Sequence, residues 1–373
     1  MTRLFEPLSV GSTALGHRVA MAPLTRCRCD DWAPTAMVQE YYEQRACVPG
    51  TLLITEATLI SERSISIPSI PGIWADAHVA AWRRVTDAVH AKGCRIFCQL
   101  WHHGRAGSVD VLEAHGLPLL SSSAVPMTPG SSSPTPREMT EAEIAQVIED
   151  FAAAARNAIA AGFDGVEIHG ANGYLLDQFL QDTCNRRTDR WGGSVENRAR
   201  LHVEVAKAVA AAVGADRTAM RLSPYSDFQG MLMDEPEPTF AHVLEQLRPL
   251  GLAYLHLVEA RIRGTEDAEC GGQRSVRWMV EQWANASPVL LAGGFTADSA
   301  RQAVNETYRD YDVVVVFGRY FVSNPDLVYR VKEGVELLKY DRATFYVPLS
   351  PTGYIDYAFS KEFVSSAPQS VEA

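Results

Sequence analysis

Short apolar runs rich in β-branched residues recur along the chain, each closed by glycine, proline or a polar side chain. They are Val19–Pro23, Leu52–Glu56, Arg95–Leu100, Gly165–His169, Thr218–Leu222, Ala253–Val258, Pro288–Ala292 and Asp312–Phe317. Most are hydrophobic on both sides, as parallel strands covered on both faces by helices must be. Helical periodicity separates them. The clearest case begins at Thr140, where Thr140 and Glu143 form a capping box ahead of Ile144, Val147, Ile148, Phe151 and Ala155. Further helices are predicted over about 75–92, 194–213, 238–250, 275–284, 297–305 and 326–338. Eight strands alternating with helices predict an α/β fold, a (β/α)8 TIM barrel. An open doubly wound sheet would call for an early G-x-G-x-x-G, which the sequence lacks.

Two polar stretches interrupt the alternation, and both follow strands. Residues 102–137 and 261–274 read as long loops over the C-terminal face of the barrel, where such loops build active sites. Within the first, the 131–136 tract reads equally as a solvated insertion. The reading is one domain over 1–373, with a poorly ordered tail from about 358.

Composition narrows the function classes. With 373 residues and 47% hydrophobic content the chain buries a large core without staples. A formal charge of −11 and the absence of any basic run argue against nucleic acid or an anionic membrane as partner. The seven cysteines are odd in number and contain no C-x-x-C, which fits reduced thiols better than a metal site or disulfides. No stretch approaches a transmembrane span, and the N-terminus carries no apolar signal run. A soluble cytoplasmic protein, monomer or homodimer, is expected.

The strand ends carry the chemistry. The fourth run passes from Val166 and Ile168 into His169, Asn172 and Tyr174 within six residues, placing donors and a titratable group at the mouth of the barrel. The seventh ends in Gly293-Gly294 and the eighth in Gly318-Arg319. Loops after strands 7 and 8 commonly bind a phosphate in barrels; glycine lets backbone N–H groups approach an anion, and arginine adds a bidentate fork. Each pair alone also reads as a tight turn. Thr25, Gln99 and Arg221 suit a planar redox ring: an amide for an imide edge, a hydroxyl, and a fixed positive charge that favours the reduced form.

With these motifs on the page the chain resembles the old yellow enzyme family of FMN-dependent ene-reductases. The likeness runs from Leu4-Phe-Glu-Pro-Leu8 to Gly353-Tyr-Ile-Asp-Tyr357. It is carried by Met21-Ala-Pro-Leu-Thr-Arg26, His169-Gly-Ala-Asn-Gly-Tyr174, the Arg187–Arg198 segment, Arg221-Leu-Ser-Pro-Tyr225 and Phe317-Gly-Arg-Tyr-Phe321. Its details resemble fungal members that serve secondary metabolism. The resemblance implies that Pro23, Leu24, Thr25, Ala57, Gln99 and Arg221 line the flavin, and that Gly293, Gly294, Gly318 and Arg319 surround its phosphate. It implies further that His169 and Asn172 bind the substrate carbonyl, that Tyr174 protonates the substrate, and that Trp101 and Tyr346 shape the pocket. Ala57 stands where glycine is often found, and the Arg187–Arg198 segment reads as structural, with Ser194 capping a helix.

The implied reaction takes hydride from NADPH through FMN to the β-carbon of an enone or enal. Three other readings remain open on the sequence: double-bond isomerisation or assisted cyclisation without net reduction, flavin binding without catalysis, and a barrel glycoside hydrolase using Glu56 and Glu167 as a carboxylate pair. Whether His102 and His103 face the pocket or solvent is equally open.

Overall fold

The computed structural model describes residues 2–128, 133–260 and 274–366. Eight parallel strands form its centre: β1 Val19–Met21, β2 Leu52–Ile54, β3 Arg95–Trp101, β4 Gly165–His169, β5 Thr218–Leu222, β6 Tyr254–Val258, β7 Val289–Ala292 and β8 Val313–Phe317. Each pairs with the next in sequence, β8 pairs with β1, and the ring closes. Closure removes every edge, so the β-branched runs are satisfied on both sides. The strands are buried nearly throughout, and β8 (Val-Val-Val-Val-Phe) is buried at all five positions.

Eight helices flank the ring: α1 Ala36–Arg45, α2 Asp76–Ala91, α3 Glu141–Ala160, α4 Val195–Val213, α5 Pro236–Leu247, α6 Arg277–Trp283, α7 Ala297–Gln302 and α8 Leu327–Glu333. The capping box is formed as expected, Thr140 Oγ1 accepting from Glu143 N and Glu143 Oε2 from Thr140 N. Ser194 caps α4 by accepting from Asn197 N. Helix α1 escaped the sequence reading because a charged residue occupies its inward face: Val38, Tyr41, Tyr42 and Arg45 are buried together. Helix α8 stops five residues before its expected end, where Gly334 turns left-handed at φ 74°.

One expected loop and the expected tail need correction. The 102–137 segment contains a helix, Val109–Ala114, and a short parallel strand pair, Leu120–Ser121 with Arg137–Glu138. Pieces of two to six residues are too short to print a period. The 131–136 tract lies partly outside the described residues, as does nearly all of the 261–274 segment. The expected disordered tail is a helix over Lys361–Ser366, docked because Ser360 donates through N and Oγ to buried Asp326 at 2.8 and 2.6 Å. Its remainder, 367–373, lies outside the described residues.

Among the described residues no helix is long and apolar enough to cross a membrane, and no cluster of side chains could hold a metal ion. The six described cysteines are free thiols, and Cys270 lies outside the description.

Candidate active site

A cavity of about 1630 Å3 opens at the C-terminal ends of the strands. That exceeds the usual 300–1,000 Å3 of a single small-ligand site, so it has room for a cofactor and a substrate together. All fifteen residues that the resemblance assigns to the flavin and the substrate line it: Pro23, Leu24, Thr25, Ala57, Gln99, Trp101, His169, Asn172, Tyr174, Arg221, Gly293, Gly294, Gly318, Arg319 and Tyr346.

The β4 end is shaped by its glycines. A Cβ on Gly170 would sit 2.7 Å from His202 Nε2 and 2.8 Å from Met220 Sδ, so only glycine lets the chain turn there. Asn172 follows in the left-handed region at φ 58°, its N–H donating to Ser223 Oγ at 2.8 Å. Gly173 N donates to Asp177 Oδ2 at 2.8 Å, and the Gln178 amide donates to the Gly173 carbonyl, also at 2.8 Å. The turn is thereby fixed, and three side chains are delivered to one place.

His169 and Tyr174 meet at a ring separation of 5.0 Å, nearly edge to face, and Trp101 closes on Tyr174 at 4.7 Å and 90°. His169 Nδ1 accepts the Ala171 N–H at 3.4 Å, which puts the imidazole proton on Nε2. Burial, with Arg221 and His103 adding to it, holds its pKa well below the ordinary value, so the ring is a neutral N–H donor. Tyr174 is pushed up to about 12 by burial and by Tyr346, while a side-chain hydrogen bond from Gln229 works the other way. The phenol keeps its proton at neutral pH.

Arg221 lies deeper, on β5. Its Nε is buried and finds no partner among the described residues, an arrangement that costs free energy unless an electron-rich group comes to it. Gln99 presents its amide two strands away, on β3, the amide N–H already donating to Glu167 Oε1 at 2.7 Å and the carbonyl left over. On the far side Gly294 takes φ 63°, and Gly318 caps the short helix Arg319–Ser323, so two glycine turns and one guanidinium border the cavity. An orphaned guanidinium, an unspent carbonyl and a glycine-bordered end fit a flavin mononucleotide, ring at one end and phosphate at the other.

Residues that the sequence did not single out also line the cavity, among them Met127, Phe228 and Gln229. Gln229 had a faint signal, a Gln-Gly pair after the β5 end. Its φ of 61° is held by Arg105 Nη2, which donates to its carbonyl at 2.9 Å. The two histidines separate: His103 lines the cavity, its ring 3.6 Å from that of Trp101, whereas His102 Nδ1 accepts the Gly104 N–H at 3.1 Å. Arg187 is structural as expected, its guanidinium donating to the Ser122 and Met139 carbonyls.

The glutamate-pair reading fails on geometry. Glu56 is fully buried and does not line the cavity, and Glu167 already accepts from Gln99, Tyr254 and His256. Neither carboxylate reaches a substrate.

Comparison with known proteins agrees with the fold and gives the family. The sequence model of the NADH:flavin oxidoreductase / NADH oxidase family matches residues 3–337. The chain belongs to that family, as an oxidoreductase of the old yellow enzyme type with FMN as its flavin. It is 55% identical over 365 residues to chanoclavine-I aldehyde reductase fgaOx3 of Penicillium roqueforti strain FM164, covering 97% of this chain and 98% of that protein. It is also 50% identical over 370 residues to a probable inactive reductase, easA, of Epichloe festucae var. lolii, covering 98% and 97%. Among solved structures it superposes on an old yellow enzyme homologue from Zymomonas mobilis with a TM-score of 0.86 at 38% identity, covering 96% of this chain and 99% of that one.

Proposed function

We propose that the protein is an ene-reductase, drawing hydride from NADPH and saturating the C=C bond of an α,β-unsaturated aldehyde or ketone. The observation that carries this reading is that His169, Asn172 and Tyr174 converge on the cavity that Gln99 and Arg221 also line. Pro23, Leu24, Thr25, Ala57, Gln99 and Arg221 would hold the flavin ring, and Gly293, Gly294, Gly318 and Arg319 its phosphate. FMN, when bound, supplies the hydride chemistry.

The chain's own residues do the rest. His169 Nε2–H and the Asn172 amide take the substrate carbonyl oxygen between two donors, stabilising the negative charge that grows there as the β-carbon accepts hydride. Because His169 is neutral, it supports that charge as a hydrogen-bond donor and not as a cation. Tyr174 holds a proton at its phenol oxygen and delivers it to the α-carbon. Trp101 and Tyr346 line the same cavity and shape the space left for the substrate. The names of aldehyde reductases among the relatives support an enal as the natural substrate class, and a cytoplasmic monomer or homodimer suits the acidic surface and free thiols.

An isomerase reading keeps the carbonyl-binding pair and needs no proton from Tyr174. The two readings separate on stoichiometry. NADPH consumed one for one with saturated product from 2-cyclohexenone or a simple enal supports the reductase. Product formed without NADPH consumption would replace it with the isomerase.

A further inference from the structure

The barrel interior beneath the cavity is layered. Gln99 stands directly opposite Glu167 across the β3–β4 ladder, while Arg221 stands opposite His169 on β4 and His256 on β6. Strand alternation therefore sets Glu167 on the same face as His169, two residues lower, immediately under the layer that holds Arg221. Glu167 is wholly excluded from solvent and saturated with donors: Gln99 Nε2 at 2.7 Å, His256 Nδ1 at 2.8 Å and Tyr254 Oη at 2.9 Å.

Two consequences follow from that geometry. Gln99 can meet a carboxylate only through its N–H, so its carbonyl is forced toward the cavity as an acceptor. The charges are also uneven. Burial alone would push Glu167 up, yet His256, Arg221 and Gln99 hold it below its ordinary value, so it is anionic. Burial drives His256 down despite Glu167, so it stays neutral, and its Nε2 has no partner among the described residues. One negative charge thus faces the single positive charge of Arg221, with neutral donors around it.

We propose that Glu167 is a positioning residue and a countercharge beneath the flavin: it locks the Gln99 carbonyl toward the cavity and, by offsetting Arg221, lowers the preference of the site for the reduced cofactor. This rests on FMN occupying the cavity. Arg221 alone would strongly stabilise the negative charge that a flavin gains on reduction. Glu167 restrains that effect and leaves the reduced cofactor a better donor of hydride.

The test is the FMN reduction potential of purified holoenzyme, measured by anaerobic dye equilibration beside FMN dissociation constants from fluorescence quenching. Glu167→Gln keeps the shape and an acceptor for Gln99 while removing the charge. It is expected to favour reduced over oxidised FMN at least tenfold more than wild type, a positive shift of roughly 30 mV or greater for a two-electron couple. An unchanged or lower potential overturns the proposal. If E167Q does not fold, Tyr254→Phe carries the test. Loss of one donor leaves more of the Glu167 charge unscreened, so the potential falls, and an unchanged or higher value overturns the proposal. Wild-type protein titrated with FMN and with its N3-methyl analogue tests the amide orientation: an accepting Gln99 carbonyl would take the ring N3–H, so the analogue is expected to bind at least tenfold more weakly, and equal binding contradicts a carbonyl acceptor. Wild-type protein that takes up no FMN would instead sink the functional reading itself.

Discussion

Tyr174 lies edge-on to Trp101 and His169, and that enclosure keeps a phenol protonated where a proton donor is needed. Replacing it with phenylalanine keeps the packing and removes the proton. We expect Tyr174→Phe to leave flavin reduction by NADPH intact and to slow reoxidation by an enone by about 10²-fold or more; stopped-flow rates for the two half-reactions decide, and equal wild-type rates would remove Tyr174 from the mechanism. His169→Ala combined with Asn172→Ala is expected to abolish the spectral change on adding a phenol, which mimics a carbonyl oxygen carrying negative charge. An undiminished titration would contradict the carbonyl-binding role. At this scale the sequence was informative where chemistry sits at a strand end, because closure of the barrel brings all such ends together. It gave only a faint signal for Gln229, whose place depends on a left-handed turn and on a buried arginine reaching from a distant loop.

The elements around the site are tied by buried arginines. Arg28 donates to the carbonyls of Thr344, Phe345, Ser350 and Thr352, and Arg26 to those of Phe345 and Gly353. Together they bind the 344–353 segment to the end of β1, which is how Tyr346, far away in sequence, reaches the cavity. Arg45 does the same from α1, donating to Phe321, Val322 and Tyr354 carbonyls with its guanidinium 3.6 Å from the centre of the Tyr41 ring. Arg28→Ala would leave several buried carbonyls without a donor. A stability loss of about 3 kcal/mol is expected by denaturant unfolding, together with a raised KM for the enone as Tyr346 loosens. Wild-type stability and KM would show that the segment is held by other contacts. No local period announces such ties, because carbonyl acceptors are present at every residue and only the fold selects which are used.

At the scale of the whole molecule the barrel was legible because its strands must be apolar on both faces, whereas the described part of the 102–137 segment was not, being assembled from pieces too short to carry a pattern. The same interior that excludes water also perturbs carboxylates. Burial raises Glu56 from 4.5 to about 7 against the opposing pull of Arg26 and Arg28. A raised carboxyl pKa stabilises the folded state fully below pH 4.5, and that contribution is lost as pH rises through about 7. Glu56→Gln keeps the neutral form at every pH. Its stability relative to wild type is therefore expected to improve between pH 5 and pH 8, by up to about 3 kcal/mol; melting temperatures across that range check it, and a pH-independent difference would show that Glu56 is not titrating there.

The central claim is tested most directly by the anaerobic visible spectrum of the FMN-loaded protein, recorded alone, after NADPH, and after an enone such as 2-cyclohexenone. Flavin bands that bleach with NADPH and return with the enone are the predicted result. Protein that takes up no FMN, or bands that bleach and stay bleached with every enone and enal tried, would contradict the account.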